Sequence, residues 1–134
     1  MVHKFPRGLS PFYVRIYQVV DDPTTDSIIS WSKSYDSFII WNVREFRRKI
    51  MPTCVEFGRS FSWFLSKLRS YGFKRVNGAG QLEFGNEYFV ADQPGLLKYM
   101  MNEALTAKRK AKMAKAKARR DRVQVEGLFK HLQI

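Results

Sequence analysis

Arg59-Ser60-Phe61-Ser62-Trp63-Phe64-Leu65-Ser66-Lys67-Leu68-Arg69-Ser70-Tyr71-Gly72-Phe73-Lys74-Arg75-Val76 is the stretch on which the fold turns. Phe61, Phe64, Leu65 and Leu68 recur at i, i+3, i+4 and i+7, one stripe of a helix. Ser60 suits the start, because its hydroxyl accepts from an unpaired N–H of the first turn. Gly72 suits the stop, because glycine tolerates the left-handed backbone that ends many helices. The pattern predicts a helix over 60–72. Arg59, Trp63, Ser66, Lys67, Ser70 and Lys74 then point away from the apolar stripe, and Ser62 and Arg69 lie on its flanks. That outer side carries cations and small hydroxyls and no acid. Short side chains let a helix backbone approach a duplex, and cations meet phosphate or base edges, so the face suits a major groove. A solvated helix that is merely basic has the same local pattern.

Working outward from that helix, Thr53 to Arg59 form the turn into it. Before the turn, Asn42 caps another helix, with Glu45 at the reciprocal capping-box position. Val43, Phe46 and Ile50 give its inner stripe, Arg44, Arg47, Arg48 and Lys49 leave its other side basic, and Pro52 ends or kinks it. Earlier still, 27–31 and 37–41 are β-branched and aromatic, and 32–36 supplies a turn, which predicts an antiparallel hairpin. The first helix opens at Ser10-Pro11, buries Phe12, Ile16, Val19 and Val20, and ends at Asp21-Asp22-Pro23. On the other side of the central helix, 73–76 and 81–84 read as short strands joined by the glycine-rich loop Asn77-Gly78-Ala79-Gly80. Helix, two strands, two helices and two strands is the order of an α+β winged helix-turn-helix: a three-helix core on a small four-stranded antiparallel sheet. Residues 1–9 are expected to be loose, 10–100 to form the domain, and 101–134 to form a basic helical or disordered tail.

The 134 residues carry 24 Lys and Arg against 12 acids, a formal charge of +12. Such an excess favours polyanions, nucleic acid first. Cys54 is the only cysteine, so neither an internal disulfide nor a cysteine-based zinc site can form. His3 and His131 lie in opposite tails, and the acids do not recur with histidine at ligand spacing. No enzyme, metal, cofactor or small-molecule substrate is therefore expected. The start lacks the apolar run of a signal peptide, and no segment reaches the roughly 20 apolar residues of a membrane span.

The residues are specific enough for a family resemblance. Pro11-Phe12, Tyr17 to Ser32, Ser37 to Asn42, Glu45-Phe46 and Ile50-Met51-Pro52 resemble the DNA-binding domain of heat-shock transcription factors. Phe61-Ser62-x-Phe64, Leu68, Tyr71 to Val76, Glu83-Phe84-x-Asn86 and Leu96-Leu97 continue the likeness over roughly 11–100. The resemblance implies a nuclear protein bound to double-stranded DNA, with the 60–72 helix in the major groove over a GAA-type repeat. It also implies a wing of the short plant type facing a neighbouring protomer, and trimerisation through heptads beyond the domain. Arg59, Ser62, Trp63, Ser66, Lys67, Arg69, Ser70, Lys74 and Arg75 are then the expected DNA-binding set.

The chain departs from the family pattern on the recognition face. That family usually reads Phe-Val-Arg-Gln-Leu-Asn where this chain has Phe64-Leu65-Ser66-Lys67-Leu68-Arg69. Ser66 stands in place of the arginine that would grip guanine, and serine lacks the two-pronged fork. Lys67 and Arg69 replace neutral amides, which adds phosphate attraction but little sequence information. Trp63 occupies a small-residue position, where an indole would clash with DNA, stack, or mark a protein contact. The turn before the helix is one residue longer than usual, and its Glu56 would repel phosphate. Leu82 replaces a tryptophan, a packing change. Weakened or altered base readout is the first expectation. The alternative is a module that keeps the fold but binds heat-shock factors or other transcription proteins. A basic RNA-binding protein would explain the charge but not the ordered pattern.

The tail is dense in cations. Lys108, Arg109, Lys110, Lys112, Arg119 and Arg120 suit non-specific nucleic-acid contact or a nuclear-import signal. Ala104, Ala107, Ala111, Ala114 and Ala118 have the spacing of a coiled-coil seam, but alanine buries little area.

Overall fold

The computed structural model describes residues 4–76 and 80–132, with 125–132 as backbone alone. Helix α1 (Pro11–Asp21) starts on its proline, but the Ser10 hydroxyl does not cap it. Ser10 Oγ donates to Tyr71 Oη at 3.2 Å instead. The buried face of α1 is also wider than the apolar spacing implies: Tyr13 and Tyr17 are inside, and Val19 is only half-buried. The tyrosines can be buried because their hydroxyls find carbonyls far along the chain. Tyr13 Oη donates to the Tyr71 carbonyl and Tyr17 Oη to the Val90 carbonyl, each at 2.7 Å. Burial pushes the Tyr17 pKa up to about 12. Of the N-terminal residues expected to be loose, Phe5 sets its ring edge-on to Tyr17, with centroids 5.7 Å apart.

Strands β1 (Ile29–Trp31), β2 (Ser37–Ile40), β3 (Lys74–Arg75) and β4 (Leu82–Gly85) form one antiparallel sheet in the order β1-β2-β4-β3. Phe38 sits opposite Trp31 on one side and Phe84 on the other. Side chains alternate across a strand, so Phe38 and Ile40 face the helices while Ile39 faces outward between Ser30 and Glu83. The loop expected at 77–80 falls on Asn77, Gly78 and Ala79, which lie outside the described residues.

The second helix is not the regular α-helix its spacing suggests. Helix α2 (Val43–Glu45) is capped by Asn42, whose side chain accepts from the Glu45 N–H. The reciprocal half of a capping box is absent: the Asn42 N–H donates to the Ile28 carbonyl, and Glu45 turns to Lys49 at 2.9 Å. Beyond Glu45 the coil widens to a π turn over Phe46–Ile50, closed by the Met51 N–H on the Phe46 carbonyl, then tightens to a 3₁₀ turn over Met51–Thr53. Pro52 explains the irregularity, since its ring and missing N–H disrupt a regular ladder at the carbonyl four residues back. Phe46 and Ile50 still face the core.

The core is largely aromatic. Phe12, Phe46, Phe57 and Phe64 pack between the helices, and Tyr17, Trp31, Phe38, Phe73 and Phe89 pack under the sheet. The chain divides into two compact units, Met1–Glu103 and Ala104–Ile134. Helix α4 (Leu97–Leu132) buries Leu97 and Met100 in the first unit. In the second unit, every side chain from Leu105 to Gln124 is exposed, Ala107, Ala111, Ala114 and Ala118 included, while Ala104 is half-buried. The basic stretch is therefore helical. No helix among the described residues is long and apolar enough to cross a membrane.

Candidate nucleic-acid interface

Helix α3 (Phe61–Ser70) begins and ends as its sequence requires. The Ser60 hydroxyl accepts from the Trp63 N–H at 3.3 Å. At the other end, the Phe73 N–H bonds the Leu68 carbonyl and the Gly72 N–H bonds the Arg69 carbonyl. That pair of bonds is a Schellman stop, and it needs the left-handed backbone that Gly72 supplies at φ +105°. Asn86 Nδ2 donates to the Gly72 carbonyl at 2.9 Å, which ties the end of α3 to the chain leaving β4. Phe64 and Leu68 are wholly buried, and Phe61 and Leu65 half-buried, so the predicted stripe faces the core. Ser62, Ser66, Arg69 and Ser70 are exposed on the opposite side, with Arg59 exposed just before the cap.

This face has two borders. Toward the sheet, Ser66, Arg69, Lys74 and Arg75 line a concavity of about 480 Å³ whose floor is Leu65, Phe73 and Phe84. The Arg75 guanidinium donates to the Gln81 carbonyl at 3.4 Å. Toward the turn that precedes α3, the border is Trp63. Its indole lies down on the turn: a Cβ added at Gly58 would run into Cε3 and Cζ3 of the ring. The ammonium of Lys67 closes over it, 4.1 Å from the ring centroid, and donates to the Glu56 carbonyl at 3.4 Å. Cation–π attraction and the carbonyl bond thus hold Lys67 aside, half-buried, where its spacing predicts an outward cation.

Two expectations change accordingly. Trp63 does not stand up from the face; it is 45 % exposed, but its bulk is spent on the turn. The Glu56 carboxylate is also not a bare charge, since Arg15 Nε donates to it at 3.0 Å. Its own backbone N–H, with Arg15, holds that carboxyl below its ordinary value. Gly58 makes the arrangement possible, with φ +78° and ψ −172° and no side chain under the indole. Gly58→Ala is expected to cost about 1–3 kcal/mol from the backbone alone, because this φ/ψ region is open almost only to glycine, and more because the ring must move. Adding Trp63→Ala removes the collision, so the double variant should unfold at higher denaturant than two independent losses allow.

The fold therefore gathers Arg59, Ser62, Ser66, Arg69, Ser70, Lys74 and Arg75 around one side of α3, and sets Trp63 and Lys67 along its edge. Lys108, Arg109, Lys110, Lys112, Arg119 and Arg120 are exposed on α4 in the second unit. Arg44 and Arg47, which the sequence marks only as the basic side of the second helical segment, line a concavity together with Arg59. Their helical spacing was visible, but their meeting with Arg59 is a tertiary fact. Cys54 is buried, and burial pushes its thiol pKa up. Among the described residues, no group of three His, Cys, Asp or Glu could hold a metal ion.

The family model for HSF-type DNA-binding matches residues 12–103. The chain belongs to that family. It is 44 % identical over 91 residues to heat stress transcription factor A-5 of Arabidopsis thaliana, which is 68 % of this chain and 19 % of that protein. Heat stress transcription factor A-4a of the same plant is likewise 44 % identical, with 68 % of this chain and 22 % of that protein covered. The chain thus spans about a fifth of the length of these curated relatives, at 19 % and 22 %. The crystal structure of Chaetomium thermophilum Skn7 with SSRE DNA superposes with a TM-score of 0.62 at 28 % identity, covering 68 % of this chain and 97 % of that one. A heat shock transcription factor/DNA complex gives 0.52 at 26 % identity, covering 60 % and 98 %. The winged helix-turn-helix expected from the element order, with its four-stranded antiparallel sheet, is the fold observed.

Proposed function

We propose that this HSF-type domain binds double-stranded DNA by placing the Ser62, Ser66, Arg69 and Ser70 side of α3 in the major groove, as part of a nuclear transcription regulator. The observation that carries the proposal is the exposed, acid-free face of α3 in an HSF-type fold. Its Skn7 and heat shock factor neighbours are structures with DNA. Arg59, Lys74 and Arg75 supply phosphate contacts at the margins, and the cations of α4 add non-specific attraction and an import signal. Base readout is weakened, because Ser66 cannot make the fork to guanine. A link to the heat response follows from the same family membership. The rival module that binds only other transcription proteins loses two of its three motives, since Trp63 is laid on Gly58 and Glu56 is paired with Arg15, and keeps the third, the lack of strong heptads.

A titration of the full chain on GAA-repeat and scrambled duplexes at two salt concentrations tests the proposal. The expected result is binding to both, with modest preference for the repeat and a steep loss of affinity as salt rises. Strong preference that salt does not erode would overturn the relaxed readout. Absence of duplex binding at low salt would overturn DNA binding itself.

A further inference from the structure

We infer that a second anion site lies beside α3, a trough lined by Arg44, Arg47 and Arg59 that grips phosphates of the DNA backbone flanking the groove. The inference rests on the proposed placement of α3. Arg44, Arg47 and Arg48 all lie exposed on the second helical segment. With Arg59 they rim a concavity of about 480 Å³ floored by Val43 and Met51. A second concavity of about 550 Å³ adjoins it and shares Arg47, Met51 and Arg59. Arg47 and Arg59 therefore border both.

The trough gathers more cations than its one neighbouring acid offsets. Glu45, on the same segment, is engaged by Lys49 at 2.9 Å and Arg48 at 4.0 Å. Among the described residues, Arg47 and Arg59 have no carboxylate partner. Like charges gathered around one concavity repel each other, so the cluster costs stability in the free chain and gains it when an anion arrives. Guanidinium forks match phosphate oxygens two at a time, which lysine cannot do. Position selects the source of the phosphate. Arg59 directly precedes Ser60, the cap of α3, so the trough opens at the N-terminal end of the helix that enters the groove. A duplex seated on α3 runs its backbone past that end.

The test is an anisotropy titration of the full chain on a GAA-repeat duplex at roughly 50 and 200 mM salt. Arg44→Gln/Arg47→Gln should bind about tenfold more weakly at the lower salt, with the gap nearly closed at the higher. Its plot of log affinity against log salt should be shallower by about 2, since each phosphate contact contributes roughly 0.9. Lys33→Gln/Lys98→Gln removes the same charge at exposed positions elsewhere and should leave the slope unchanged. Arg47→Lys in the Arg44 background should keep more of the slope than glutamine does. A duplex with methylphosphonates on the flank beside the α3 N-terminus should weaken binding by the wild-type chain and leave Arg44→Gln/Arg47→Gln unaffected. An unchanged slope in the arginine variant, the same change in the lysine control, or an equal methylphosphonate effect on both chains would overturn the site alone. Failure of the wild-type chain to bind any duplex would overturn the proposed function, and this site with it.

Discussion

Phe64→Ala is expected to remove a large share of the stability of the first unit. Phe64 is wholly buried and touches four other rings. Its centroid lies 4.9 Å from Phe57, 5.0 Å from Phe46, 6.0 Å from Phe61 and 6.2 Å from Phe12. Truncating a buried phenylalanine costs about 3–5 kcal/mol, because lost burial and the residual cavity add. A domain of this size has only about 5–15 kcal/mol in total. Thermal melts should shift down by roughly 12–40 °C at about 4–8 °C per kcal/mol. The consequence reaches the interface, because these rings are what hold the outer side of α3 at a fixed angle to the sheet. Duplex binding should therefore fall with the folded fraction, and added DNA should recover part of the melt shift. A loss below about 1 kcal/mol would mean that α3 is not seated on this cluster, since such a loss is within the range of surface changes.

What the sequence made legible is what local rules govern. Phe61, Phe64, Leu65 and Leu68 announce the buried side of α3 by spacing alone, and Ser60 and Gly72 announce its ends through side-chain and backbone preferences acting within a few residues. The same holds for Asn42 and for the β-branched strands. The misreadings arise where distant segments set the outcome. Tyr13 and Tyr17 are buried because Tyr71 and Val90, more than fifty residues on, offer carbonyls to their hydroxyls. Trp63 and Lys67 leave the outer face because Gly58 and the Glu56 carbonyl lie beside them after folding. The Glu45 half of the capping box fails because Ile28 has already taken the Asn42 N–H. In each case periodicity gave the direction of a side chain, and a partner it could not name decided where the side chain came to rest.

Ser66→Arg should restore sequence discrimination. The site has room for it: Ser66 is exposed and borders the concavity of about 480 Å³ that it shares with Arg69 and Lys74. Trp63 is not in the way, since its ring lies on the turn at the other border. A guanidinium reaching guanine O6 and N7 is worth about 1–3 kcal/mol of discrimination. The ratio of affinities for the GAA-repeat and scrambled duplexes should accordingly rise roughly 5- to 150-fold. Salt separates this gain from simple attraction. Counterion release is the same for both duplexes, so it cancels in their ratio, and the restored preference should persist as salt rises. Ser66→Lys supplies the control, because it adds a charge without the fork and should strengthen both duplexes alike. If Ser66→Arg also strengthens both equally, the hydroxyl side of α3 runs along the phosphates and does not enter the groove. The chain's affinity would then come entirely from its cationic margins, and the serine would be neutral to sequence because no base edge ever comes within its reach.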